Sequence, residues 1–216
     1  MITTIGAFTD LFSKNVFKLS DHQASQIRQY HDLLIESNTR INLFSRKENN
    51  LADRHFANCA CIAHFFKFTK KDRVLDIGSG AGFPGIVLKI LFPQTFFCLT
   101  ESVSKKAKFI EATIEQLQLK EITVVNDRVE KMADIDSFAK SFSFATARAV
   151  AALDKLVQMS APLLSGSGTM LFLRGKSYEN DLSTLSNKRH YRIEPLRRVP
   201  GLGTNQDGVL WISRQS

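Results

Sequence analysis

An α/β fold on a mostly parallel sheet is predicted by three features of this 216-residue chain. From residue 73 onward, short apolar runs alternate with helical periodicity, the pattern of βα units. The first run, Arg73-Val74-Leu75-Asp76-Ile77, enters a glycine-rich turn at residues 78–85. The last two runs are joined by a link with no room for a helix. A parallel crossover needs a dozen or more residues, so those two strands must run antiparallel.

The first 70 residues read as a helical extension, and residues 71–216 as the sheet-bearing domain. Ser20-Asp21 caps a helix over 22–37, with Ile27, Tyr30, Leu33 and Leu34 on one face. Turn formers at 38–43 break it, and a second helix covers 50–66. Strands are expected at 73–77, 96–100, 122–125, 142–147, 169–173, 191–198 and 209–213. Helices fill 86–92, 104–119 (capped by Ser104), 152–163 and 178–185. Together these make a seven-stranded sheet of six parallel strands and one antiparallel partner, with a helical N-terminal extension, an arrangement that resembles the Rossmann-like sheet of class I methyltransferases.

Composition excludes several classes. The chain is 44% apolar and 23% charged, as ordinary water-soluble proteins are. No apolar run approaches the ~20 residues of a membrane span, and the N-terminus lacks the pattern of a signal peptide. Three cysteines, Cys59, Cys61 and Cys98, suit a reducing cytoplasm better than a disulfide frame. Cys59-x-Cys61 has no matching second pair and lies in a helical apolar pattern, so packing and not metal is expected there. The net charge is +8 and lies mostly at the two ends. Residues 1–72 carry ten Lys/Arg against seven Asp/Glu, 73–164 eleven against ten, and 165–216 eight against four. Basic ends suit a polyanion, most simply RNA, although solubility alone also favours a net charge.

The turn after the first strand defines a nucleotide-type site. Gly78 and Gly80 let backbone approach a ligand closely, and the turn opens a helix. Two residues set the ligand's chemistry. Asp76 would repel a pyrophosphate but suits a cation, and Pro84 removes an amide that a phosphate would use. S-adenosylmethionine, with a sulfonium and an ammonium and no phosphate, fits better than a dinucleotide. Glu101 ends the second strand 23 residues after Gly78, the spacing at which an acid reaches ribose hydroxyls. It also suits a helix N-terminus as a plain structural acid. Phe83 offers a ring for stacking on the cofactor, while Phe44 is expected to pack. Backbone at Val129-Glu130, after the third strand, lies where an adenine edge would be read. Arg148 ends the fourth strand among small residues and could hold a carboxylate, a phosphate or the methionine tail, or pair with Glu101 or Asp76.

Other cations gather at the same strand ends. Arg174 and Lys176 flank Gly175, Arg54-His55 lies on the second helix, and Arg197-Arg198 follows the sixth strand; all are candidate RNA contacts. No Asn/Asp-Pro-Pro-aromatic run and no Pro-Cys nucleophile follow a strand. A ring nitrogen with a free lone pair needs neither. No catalytic acid or base is therefore assigned, and catalysis by orientation is expected, with Arg148 as a positioning candidate.

These residues resemble the bacterial RsmG (GidB) family of 16S rRNA guanine-N7 methyltransferases over about residues 38–214. The resemblance rests on Asn38-x-Arg40-x-Asn42-Leu43, Arg54-His55, and the block from Asp76 to Gly85 ending Gly-Phe-Pro-Gly. It extends through Glu101-Ser102, Lys105-Lys106, Arg128-Val129-Glu130, Arg148-Ala149 and Arg174-Gly175. It implies methyl transfer from S-adenosylmethionine to N7 of one guanine near the decoding centre, on the small subunit or an assembly intermediate. It also implies cofactor contacts at Gly78, Phe83, Val129, Glu130 and Arg148, in a cytoplasmic protein expected to act as a monomer. Glu101 stands where the family usually has Asp, Phe44 where it has Thr, and Arg174 where it often has Lys. The rivals are a methyltransferase of the same fold acting on a small molecule or protein, and a non-catalytic RNA-binding module.

Overall fold

The computed structural model describes residues 4–15, 18–47, 50–175, 178–183, 185–200 and 208–215. Its centre is a seven-stranded sheet in the order β3-β2-β1-β4-β5-β7-β6. The strands are β1 (Arg73–Ile77), β2 (Phe96–Thr100), β3 (Ile122–Val125), β4 (Phe142–Arg148), β5 (Leu164–Arg174), β6 (Tyr191–Ile193) and β7 (Gly208–Arg214). The first five pair in parallel, and β7 runs antiparallel between β5 and β6.

Alternate residues of each strand enter opposite apolar layers, as the two-residue period requires. Val74, Phe97, Leu99, Leu171 and Leu173 face one layer, and Leu75, Cys98, Met170 and Phe172 face the other. The first layer is roofed by α1 (Ile5–Asn15), α2 (Asp21–Asn38), α3 (Asn58–Phe65), α4 (Gly85–Leu91) and α5 (Ser104–Gln116). The second holds α6 (Leu153–Ser160), while α7 (Tyr178–Ser183) lies at its margin. The amino-terminal helices thus share one apolar cluster with the sheet. Buried Phe8, Phe12, Tyr30 and Phe56 join Ile86 and Leu99 in it.

Several boundaries differ from expectation. Helix α1 was not foreseen. Ser20 does cap α2: its hydroxyl accepts from the Gln23 amide, and the Gln23 side chain returns the bond. Gln23 Nε2 also donates to the Ile90 carbonyl at 2.9 Å, which ties α2 to the end of α4. The helix expected over 50–66 divides into a π-helical turn, Ala52–Ala57, and α3. Helix α5 starts at Ser104 without a side-chain cap and stops before Gln118, which turns left-handed at φ 53°. Strand β5 begins five residues early. Its first pairing, Leu164 with Phe142, precedes an irregularity in the ladder to β4. Strand β6 ends at Ile193, and only an isolated bridge, Arg197 to Val209, continues the pairing. That bridge lies level with Leu173, so Arg197 reaches the carboxyl-end rim of β5.

Candidate active site

The turn after β1 is held by the protein's own groups. The amides of Gly78 and Ser79 donate to the Thr100 hydroxyl and carbonyl at 3.1 and 2.9 Å. Gly82 and Phe83 donate to the Ser79 carbonyl, and the Tyr30 hydroxyl donates to Ala81 at 2.7 Å. Gly80 donates to Glu101 Oε2 at 2.9 Å, and Gly85 donates to Asp76 Oδ2 at 3.0 Å. Amides occupied in this way do not form a phosphate cradle.

Asp76 lies beneath the turn. It is fully buried, and its other oxygen accepts from the Thr146 hydroxyl at 2.9 Å. Burial pushes its carboxyl up to about 6, against the opposing pull of bonds from Ser79, Thr146 and Gly85, with Glu101 adding a further push. It shapes the turn and caps α4 from beneath. Thr146 was missed by sequence reasoning because only the β1–β4 register, Asp76 beside Thr146, brings it there.

Glu101 is 6% exposed and grips two amides, those of Gly80 and Val103, at 2.9 and 2.7 Å. A carboxylate has about four acceptor sites, so two such bonds leave capacity for hydroxyl donors. It lines a cavity of about 360 Å³ with Gly78, Gly80, Phe83, Lys106, His55 and Arg148. A smaller adjoining cavity of about 160 Å³ is walled by Ile77, Val129, Glu130 and Met159. The two share Gly78, Ser102 and Val150 and so form one trough across the strand ends. Gly78 has φ +62°, and a Cβ there would lie 2.9 Å from the Val150 methyls, so only glycine lets Val150 close over it.

Fit to S-adenosylmethionine can be judged from this donor set. One end of the trough holds acidic Glu101 beside Gly80, the middle is glycine and small side chains, and the far end sets Ile77, Val129 and Met159 against the charged Asp127, Arg128, Glu130 and Lys155. An acid with spare acceptor capacity for hydroxyls, no free phosphate cradle, and a slot that offers both apolar walls and polar groups suit that cofactor.

Arg148 pairs with neither Glu101 nor Asp76. Its Nη1 meets His55 Nδ1 at 3.0 Å, and it also hydrogen-bonds the buried Cys59 thiol. Its guanidinium lies 5.9 Å from the Phe83 ring. Phe83 is itself enclosed by Tyr30, Phe56 and His55, with centroids 5.1–5.4 Å away, so the ring belongs to an aromatic core and borders the trough. Phe44 packs against His55 at 5.9 Å, and Asn38 Oδ1 holds its loop through the amides of Leu43 and Phe44. The Asn38 segment is thus a scaffold for the cavity wall.

Arg148 and Ala149 also border a third cavity, of about 320 Å³, ringed by Arg54, Asn58, Arg174 and Asp181. Ala149 is left-handed at φ 52°, a conformation that costs roughly 1–2 kcal/mol for a residue with a Cβ. That strain sits at the junction of the cavities. Arg174, expected as a phosphate contact, is already committed. It forks onto the Asp181 carboxylate and donates to the Ala151 carbonyl at 3.0 Å. Arg197 is exposed and stacks over Trp211 at 4.9 Å, and Arg198 is exposed beside it. Lys176 lies outside the described residues. Among the described residues, no helix is long and apolar enough to cross a membrane.

The fold is shared with solved methyltransferases of low identity. The ribosomal protein L11 methylase of Lactobacillus delbrueckii subsp. bulgaricus superposes with a TM-score of 0.57 at 18% identity, over 74% of this chain and 78% of that one. TYW2 of M. jannaschii, solved in complex with AdoMet, gives 0.51 at 14% identity, over 69% and 72%. At the sequence level, the chain is 34% identical over 182 residues to the Bacillus subtilis (strain 168) ribosomal RNA small subunit methyltransferase G, covering 83% of this chain and 75% of the relative. The family described as rRNA small subunit methyltransferase G, GidB, matches residues 23–209. A match over most of the chain, on a fold with the trough described above, means that the chain belongs to the rRNA small subunit methyltransferase G (GidB) family.

Proposed function

We propose that the chain transfers the methyl group of S-adenosylmethionine to N7 of a guanine in 16S ribosomal RNA. The observation that carries this reading is the meeting, at Arg148 and Ala149, of the trough with an arginine-walled cavity. Relatives named for small-subunit ribosomal RNA support the substrate class.

When bound, the cofactor supplies an electrophilic methyl on a positively charged sulfur. Glu101 orients the nucleoside end, and the Val129–Glu130 backbone borders the adenine slot. Arg148 orients the acceptor base at the opening between the two cavities. Guanine N7 carries a lone pair and no proton, so it would bond to the methyl without a base as the methyl–sulfur bond breaks, the bonding pair staying on sulfur as a neutral thioether and the positive charge passing to the purine. The neighbouring groups suit that chemistry. The acid of the arginine cavity, Asp181, is paired with Arg174, and His55 is held to about 3 by burial and by Arg148 and Arg54. Orientation of this kind can supply roughly 7–11 kcal/mol.

The test uses methyl-labelled S-adenosylmethionine, the purified protein and small subunits from cells lacking the enzyme. Label at one guanine of deproteinised 16S RNA, cleavable by N7-methylguanine chemistry, is the expected result. Cofactor binding with no label in RNA would move the reading to a small-molecule or protein substrate, and no cofactor binding would indicate a non-catalytic module.

A further inference from the structure

We infer that His55 is a positioning residue that accepts a hydrogen bond from Arg148 at Nδ1 and so fixes the guanidinium at the junction of the trough and the arginine-walled cavity. The inference deepens the proposed function, because it rests on Arg148 orienting the acceptor.

The contact joins two layers that meet only through the tertiary fold. Arg148 is the last residue of β4, whereas His55 comes from the π-helical turn, 93 residues earlier. That turn splits neighbouring residues between cavities: Arg54 borders the arginine-walled one and His55 the trough. The imidazole is seated by aromatic rings, Phe83 at 5.1 Å and Phe44 at 5.9 Å. Its orientation is therefore set by packing before any ligand binds.

A part-buried guanidinium needs acceptors. Arg148 has two here, and they are unequal. The Cys59 thiol is a weak acceptor, and burial pushes its pKa up to about 12, so it stays protonated. The imidazole nitrogen is the stronger partner. Burial, then Arg148 and Arg54, hold the ring neutral, so a lone pair remains available throughout the neutral range. An arginine N–H can be accepted only by an unprotonated Nδ1, and this places the ring proton on Nε2. A protonated ring would instead repel Arg148.

Two measurements test this on the full chain. In ¹⁵N-histidine-labelled protein, the expected His55 signal is a neutral ring with a bare Nδ1 and a proton on Nε2, perturbed by Arg148→Ala. A proton on Nδ1 would overturn the inference, whatever the substrate proves to be. The second is turnover with labelled cofactor and small subunits. His55→Phe keeps a packed ring without an acceptor, and His55→Asn places an amide oxygen near the Nδ1 position. His55→Phe should lower kcat by about 100-fold with cofactor affinity little changed, the scale of a misplaced orienting group. His55→Asn should recover most of that loss, and the Arg148→Ala, His55→Phe double variant should be no slower than Arg148→Ala alone. Multiplying losses, or an Asn variant as slow as the Phe variant, would make His55 merely structural. If the wild type labels no RNA, the proposed function fails, and the nitrogen spectrum still decides the contact.

Discussion

Asp76 and His55 are both buried acid–base groups beside the same trough, and they are displaced in opposite directions for one physical reason. Burial disfavours charge, so the carboxyl rises to about 6 and the imidazole falls to about 3. Their surroundings differ. Asp76 is met by hydrogen-bond donors, from Gly85 nine residues on and from Thr146 in the adjacent strand. His55 is met by a cation from a distant layer, Arg148, with Arg54 beside it. The glycine side is built almost entirely from one βα unit and its neighbouring strands, while the arginine side exists only once the amino-terminal helices dock.

The sharpest way to break this comparison is Arg148→Ala. Turnover should fall by about 100-fold or more, a larger factor than the loss of cofactor affinity measured by calorimetry. An equal loss of cofactor affinity would mean that the two sides are one unit.

Substitutions on the glycine side should act through stability or the cofactor. A Cβ at Gly85 would lie 2.7 Å from Asp76 Oδ2 and 2.8 Å from Leu99, so Gly85→Ala should cost roughly 1–3 kcal/mol in urea unfolding. At Gly80 the nearest atom would be 4.0 Å away, and only its φ of +60° resists. Gly80→Ala should therefore cost about 1–2 kcal/mol. Asp76→Ala leaves the Gly85 amide and the Thr146 hydroxyl without their acceptor, so cofactor affinity should be lost while the chain still folds. Near-normal affinity would show that the turn keeps its shape without the carboxylate.

The titrations can be separated by pH. Asp76 has its pKa raised, so its contribution is fully present below about 3.8 and is lost as pH rises through about 6. His55 has its pKa lowered, so its contribution is present above 6.5 and is lost as pH falls toward about 3. In the overlapping window the two oppose each other. Relative to wild type, Asp76→Asn should gain stability as pH rises from 4 to 6 and His55→Asn should lose it, by on the order of 1–3 kcal/mol. Parallel slopes would show that neither group dominates. The smallest effect is expected at the rim: Arg197→Ser should reduce the salt dependence of RNA binding by about one unit of slope without altering cofactor affinity.

Much of this architecture was legible in the chain. Alternating apolar runs marked the strands, and the glycines between the first strand and its helix marked the tight turn, because a strand–turn–helix writes its backbone geometry into adjacent residues. Ser20 announced the start of α2 through its capping box. Strand β5 starts earlier than expected because its first residues pair irregularly with β4, a register that the local sequence does not announce. Arg174 was read as a candidate RNA contact, and nothing in its own segment reveals that Asp181 folds back onto it.

By itself, the sequence determined the strand–turn–helix unit, the antiparallel last pair and the choice of a cationic nucleoside cofactor over a phosphate-bearing one. Each depends on local sterics, short connections or the charge of neighbouring residues. The tertiary structure alone decided that Asp76 is buried beneath the turn, that Thr146 and Tyr30 brace it, and that His55 meets Arg148. Those depend on strand register and on docking of the helical layer, which bring together residues whose spacing along the chain carries no signal.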